Sequence, residues 1–295
     1  MLLKLEEFNP HYCTIFCRDR LLLHYTAAAV VPRVESPKSY FHPLHTLNGT
    51  LVTDFAPADH PWHHGIAFAP TYVNNDTFWG GPSFTAERHT YEWLENHGRQ
   101  EHVGWEINTS TADCIAWTQR LIWRNHAEAR WMDEVRRIRV DIPSATGNYW
   151  RLSLEFALQN VTDQELLFAS PVCRGRPEGG YFGLMWRGAP SFAQGRVFSA
   201  DSKDGADLMG TRSPWLAYIA PSAEASLLFL DDPRNPRYPN PWFSRCGDLP
   251  LVSYALAYHE PYAIAPGQNL TLRYQILIAD GIWTRDDARL LASTP

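Results

Sequence analysis

Apolar and polar residues alternate with a period of two along much of this chain. In "YWRLSLEFALQN", Trp150, Leu152, Leu154, Phe156 and Leu158 interleave with Arg151, Ser153, Glu155, Ala157 and Gln159. In "LTLRYQILIAD", Leu270, Leu272, Tyr274, Ile276 and Ile278 repeat the pattern. Successive side chains of a strand point to opposite faces, so each stretch predicts a strand with one buried face. "CIAWTQRLIW" and "RRIRVDI" add two more, and "YCTIFCRDRLLLHYTA" predicts a hairpin turning at Arg18 and Asp19.

Helical periodicity is confined to the end of the chain. In "TRDDARLLAS", Thr284 is placed to cap the first turn, and Asp286 and Asp287 suit its positive end. The central strands are long and follow one another through turns near residues 125–131 and 143–148. Together these signals predict an all-β fold, a large antiparallel β-sandwich with a short C-terminal helix, formed as a single domain over residues 1–295.

Composition narrows the function classes. Forty-five per cent of the residues are hydrophobic and the net charge is -6, with no basic stripe, which argues against a nucleic-acid partner. No apolar stretch is long enough for a helix to cross a bilayer, so no membrane partner is expected. The opening "MLLKLEEFNP" carries acidic residues where a signal peptide needs an apolar core, so a cytoplasmic address is expected. Five scattered cysteines without a close pair read as reduced thiols. Twelve Trp, thirteen Tyr and fourteen Phe supply rings for a β core, and also for stacking against the faces of a sugar.

Candidate chemistry concentrates in "YFHPLHTLNGTLVTDFAPADHPWHHG", residues 40–65. The run holds His42, His45, His60, His63 and His64, five of the chain's twelve histidines, beside Asp54 and Asp59. "LVTDFA" reads as a short strand, "PADHPW" as a proline-bounded turn, and "HHGIAFA" as the start of another strand. His63 and His64 should then face opposite ways, with His60 folded back over whichever points inward. Three uses compete. A histidine oriented by an aspartate can act as general acid or base. Imidazoles and a carboxylate can hold a divalent metal. The rings can also simply satisfy hydrogen bonds in a polar loop.

The expected site takes His60, His63, His64, Asp59 and His102 as catalytic residues. His102, in "GRQEHVGWE", is expected to point from a strand into the same cleft. His42, His45, Asp54, Arg187, Asp231 and Trp242 are expected to bind substrate, with Arg245 beside Trp242 completing a sugar platform. The run as a whole is expected to converge on one solvent-reachable hollow. No phosphate loop and no GxSxG nucleophile motif is present.

The run "HPLHTLNGTLVTDFAPADHPWHHGIAFA", with "FWGG", "GYFGLMWRGAP", "DDPRNPRYPNPWFSR" and "IAPGQNLTLRYQILIADG", resembles a bacterial family of unknown function that has carried a methane-oxygenase label. The resemblance spans roughly residues 35 to 285. It implies a β-sandwich in the style of the sugar-mutarotase folds and a setting in carbohydrate catabolism. His42, His45, Asp54, Asp59, His60, His63 and His64 would be its signature positions. Where the family shows two glycines and a polar residue before the Trp-Arg pair, this chain has Gly183, Leu184 and Met185. The oxygenase label does not transfer, because the particulate methane enzyme is an integral membrane protein.

The expectation is therefore an enzyme acting on a small-molecule sugar or glycoside by His/Asp acid–base chemistry, with or without a divalent metal. Lyase and hydrolase outcomes are favoured, and an epimerase also fits. The rivals are a non-catalytic carbohydrate-binding protein and a His/carboxylate metal-dependent oxygenase.

Overall fold

The computed structural model describes residues 3–143, 147–201 and 204–293. Two eight-stranded antiparallel sheets dominate. The first runs, in spatial order, Leu3–Phe8, Tyr12–Cys17, Arg20–Thr26, Tyr40–Leu44, Ile66–Phe68, Leu184–Arg187, Leu251–Tyr254 and Trp242–Arg245. The second runs Arg99–Ser110, Cys114–Arg124, Arg130–Asp141, Tyr149–Asn160, Asn269–Asp280, Ala225–Asp231, Trp215–Ala220 and Arg196–Ser199. A four-stranded sheet and the hairpin Ser83–Thr85/Thr90–Glu92 lie outside them.

The period-two stretches form the second sheet as expected. Trp150, Leu152, Leu154, Phe156 and Leu158 are all buried, while most of the residues between them are only half-buried. Each such side chain contributes about 2 kcal/mol by leaving water. They meet Ile15, Phe41, Ile66, Trp186 and Val252 of the first sheet in one apolar cluster, so the sandwich shares a core between its layers. The first hairpin turns at Arg18 and Asp19.

The outer face of the second sheet is not left bare. Trp215, Ile219, Leu228 and Leu277 pack there with Trp283 and Ala288. Ala288 belongs to the C-terminal helix Arg285–Ala292, whose capping box pairs Thr284 with Asp287.

One local expectation needs correction. "LVTDFA" is not a strand: it carries only isolated bridges, His45 with Leu51 and Phe55 with His64. Its backbone groups bond instead to neighbouring segments, as Asp54 N does to Arg187 O at 3.0 Å. The turn expected near residues 143–148 lies partly outside the described residues.

Candidate active site

The segment between Phe55 and Gly65 makes two consecutive turns, in which His60 N bonds Pro57 O and His63 N bonds His60 O, each at 3.0 Å. This folds His60 back over His63, and their rings stack with centroids 4.7 Å apart and planes 18° apart. Gly65 closes the segment at φ +50°, donating to Asp54 O at 2.8 Å while its carbonyl accepts from Arg187 N at 2.8 Å. A Cβ there would lie 2.0 Å from Phe41 O, so only glycine fits. The stitch brings Arg187 up beside both aspartates.

His60 and His63 open onto a cavity of about 450 Å³. Its walls are mostly aromatic: Trp62, Trp79, Tyr91, Tyr181 and Phe243. Arg176 and Arg245 also line it, and no carboxylate does among the described residues. Trp93, 62% exposed, meets Trp62 edge-on.

The polar groups are ordered from the inside outward. Arg187, only 4% exposed, donates from Nη2 to the Asp59 carboxylate at 3.3 and 3.5 Å, and its Nε lies 4.0 Å from Asp54. Asp59 Oδ2 in turn lies 2.8 Å from His60 Nδ1. Partial burial pushes the Asp59 carboxyl up, but the His60 hydrogen bond and the Arg187 charge outweigh it and hold it below the usual range. An ionised Asp59 accepts only, so the neutral imidazole carries its proton on Nδ1 and its lone pair on Nε2. His60 Nε2 has no hydrogen-bond partner among the described residues and is not sealed from solvent.

His63 is built differently. It is buried, and Trp79 Nε1 donates to its Nε2 at 3.2 Å. Indole nitrogen can only donate, so the neutral ring has its proton on Nδ1, which is buried without a partner. Burial first, then the charges of His60, Arg187 and Lys38, hold its pKa well below the ordinary histidine value. His63 is thus a neutral wall of the cavity, and His60 is the ring with an unpartnered nitrogen that solvent can reach.

The five histidines do not converge on one hollow. His64 faces the other way, although the strand expected to begin at His63 starts only at Ile66, and His64 Nε2 lies 2.8 Å from Glu35 and 3.1 Å from Pro61 O. Phe55 stacks between His64 and His42, at 4.9 and 5.4 Å. His42 Nδ1 meets Thr53 Oγ1 at 3.0 Å. Burial drops His64 to about 3 and His42 to about 4. His45 is half-buried, and its carbonyl accepts from Trp150 Nε1 at 2.9 Å.

Three further expected residues lie away from the cavity. His102 accepts from Gln119 at 2.8 Å and lines a separate depression with His11 and Trp105, because its strand belongs to the second sheet. Asp231 is buried and pins the proline-rich loop, accepting from Asn235 Nδ2 at 2.8 Å and Asn240 N at 2.7 Å. Trp242 is buried against Tyr254 and donates to Ser213 O at 2.8 Å. The pleat of that strand gives the cavity Phe243 and Arg245 instead.

Sequence reasoning missed Glu35 and Lys38. Lys38 is buried with its Nζ donating to the carbonyls of Glu35, Ser36 and Trp79 at 2.6, 2.9 and 3.1 Å. Burial pulls its pKa down to about 7 against the opposing charge of Glu35. The signal was a charged pair in the "VESPKSY" segment just upstream of the histidine run. Among the described residues, no three His, Cys, Asp or Glu side chains are grouped to hold a metal ion, so the donor set does not fit the divalent metal considered above.

The sequence matches the family of unknown function DUF6807 over residues 13–293. The chain belongs to that family. No curated protein matches it. Among solved structures, this DUF6807 fold is similar to the Slr1438 protein from Synechocystis sp. PCC 6803, with a TM-score of 0.41 and 11% identity over 94% of this chain and 98% of that one. It is also similar to a galactose mutarotase related enzyme from Lactobacillus acidophilus, with a TM-score of 0.38 and 9% identity over 96% and 100%. An alpha-galactosidase from Lactobacillus brevis gives 0.40 and 10%, covering 95% of this chain and 40% of that one. No helix among the described residues is long and apolar enough to cross a membrane.

Proposed function

We propose that this protein is a carbohydrate-processing enzyme in which the Asp59–His60 pair performs acid–base chemistry on a sugar or glycoside. The observation that carries the reading is the 2.8 Å contact between Asp59 and a histidine whose other nitrogen is free at the edge of an aromatic-walled cavity. A sugar presents apolar C–H faces and hydroxyl edges, which suit rings such as Trp62 and Trp79 and polar groups such as His60.

His60 Nε2 takes a proton from a sugar carbon, a hydroxyl or a water, and the imidazolium that forms is stabilised by ionised Asp59. Arg187 keeps Asp59 ionised and fixed in place. The same imidazolium then returns the proton to a leaving oxygen on the face that His60 meets. Two-carboxylate glycoside hydrolysis needs a pair of acids flanking the bond. Among the described residues the cavity lining offers none, which favours a histidine-driven elimination or a water attack assisted by His60.

The test is incubation of the full chain with a panel of glycosides, followed by proton NMR of the sugars, with His60→Gln run in parallel. New anomeric or alkene signals with the wild type alone support the reading. Sugar binding without any conversion would instead make the protein a carbohydrate-binding one.

A further inference from the structure

Most arginines of this chain are ion-paired: Arg33, Arg99, Arg124, Arg136 and Arg273, for example, each lie within 4 Å of a carboxylate. Arg176 and Arg245 are the exceptions that matter, because both line the cavity. Neither forms an ion pair with a carboxylate among the described residues. Each leans on an aromatic wall, Arg176 over Tyr91 at 5.0 Å and Arg245 over Phe243 at 5.4 Å. Both guanidinium groups line the same cavity as Tyr91. Tyr91 itself is held to Tyr181 by a 2.9 Å contact between their hydroxyls, which fixes the wall under Arg176.

Two cations without an ion-pair partner among the described residues, lining a cavity in which those residues place no carboxylate, stand out in a protein of net charge -6. An acidic protein repels anions at long range, so a locally positive cavity is a local selection of charge. Guanidinium groups present planar pairs of N–H donors that match a carboxylate or phosphate. Stacking on a ring restricts the arginine before the ligand arrives, which lowers the ordering cost of binding.

We infer that the cavity takes an anionic sugar, one whose carboxylate or phosphate is held between Arg176 and Arg245 while its ring lies against the aromatic wall near His60. The inference rests on the sugar reading above and adds the charge of the substrate. The anionic group would be met by Arg176 and Arg245, and the reacting carbon by His60, all of which line the cavity.

Calorimetric titration of the full chain with glucuronic acid, glucose 6-phosphate, methyl glucoside and inorganic phosphate, at low and high salt, tests it. At low salt an acidic sugar should bind about tenfold or more tighter than methyl glucoside. The acid that gains most identifies the group. The gap should narrow at high salt and in both Arg176→Gln and Arg245→Gln, with an unchanged melting temperature showing that the variants are folded. Equal binding of neutral and acidic sugars, or a gap that survives in both variants, would overturn the inference and leave the sugar site standing. Binding of inorganic phosphate with no sugar bound would overturn the sugar reading and keep the arginine pair as an anion site. No binding by any probe would overturn both.

Discussion

Asp59 Oδ2 lies 2.8 Å from Nδ1 of His60, and Arg187 holds the same carboxylate from the protein side. The aspartate therefore fixes both the tautomer and the direction of the imidazole, and the ring's second nitrogen has no partner among the described residues.

Asp59→Asn keeps the shape but removes the charge. The amide can offer Nδ1 either an oxygen or an N–H group, and no longer stabilises an imidazolium. Turnover on an accepted glycoside should fall by roughly 10²-fold or more, with KM changed less than kcat. Steady-state kinetics check this, and an unchanged kcat would exclude the orienting role.

Trp79→Phe removes the donor to His63 Nε2 and leaves a buried acceptor unpaired. Loss of such a partner costs roughly 1–3 kcal/mol of stability. Urea denaturation measures it directly; a variant as stable as the wild type would mean that the bond adds nothing to the fold.

Gly81 sits at φ +73°, and a Cβ there would come within 2.3 Å of the Trp62 ring. Gly81→Ala should push Trp62 from the cavity and weaken sugar binding about tenfold, with a stability loss of roughly 1–3 kcal/mol from the backbone strain. Tryptophan fluorescence during sugar titration reports both the displaced ring and the weakened binding. Unaltered emission and affinity would show that the wall tolerates the methyl group.

His64 and His42 are held neutral by burial, with pKa values of about 3 and about 4. In the unfolded chain both return to about 6.5. Between these limits the unfolded state binds more protons, so stability is complete above about pH 6.5 and falls as the pH drops toward 4 and then 3. At pH 5 the His64 term alone is roughly 2 kcal/mol. Urea unfolding at pH 7 and pH 5 should show the drop, and His64→Gln should lessen it by about that amount. An identical drop in the variant would remove His64 from the explanation.

The strands were legible because their alternation is a local property. Trp150 to Leu158 carry their own period, and Thr284 to Asp287 carry their own cap. The Asp59–His60 pair was within reach for the same reason, being adjacent in sequence. What could not be read is the phase of a strand buried on both faces: Trp242 and Phe243 are equally apolar and equally buried, and only tertiary packing decides which of them meets the cavity. His102 failed similarly, since nothing local says which sheet a strand joins. Tyr91, Arg176 and Tyr181 come together from distant segments, and Lys38 gains its role only from carbonyls that surround it in the folded chain.

The most direct measurement is the turnover of His60→Gln beside the wild type, on any glycoside that the wild type converts, with melting curves recorded for both. The His60→Gln protein should show a fall in kcat of roughly 10²–10⁴-fold at an unchanged melting temperature. Full turnover by a folded His60→Gln protein would contradict it.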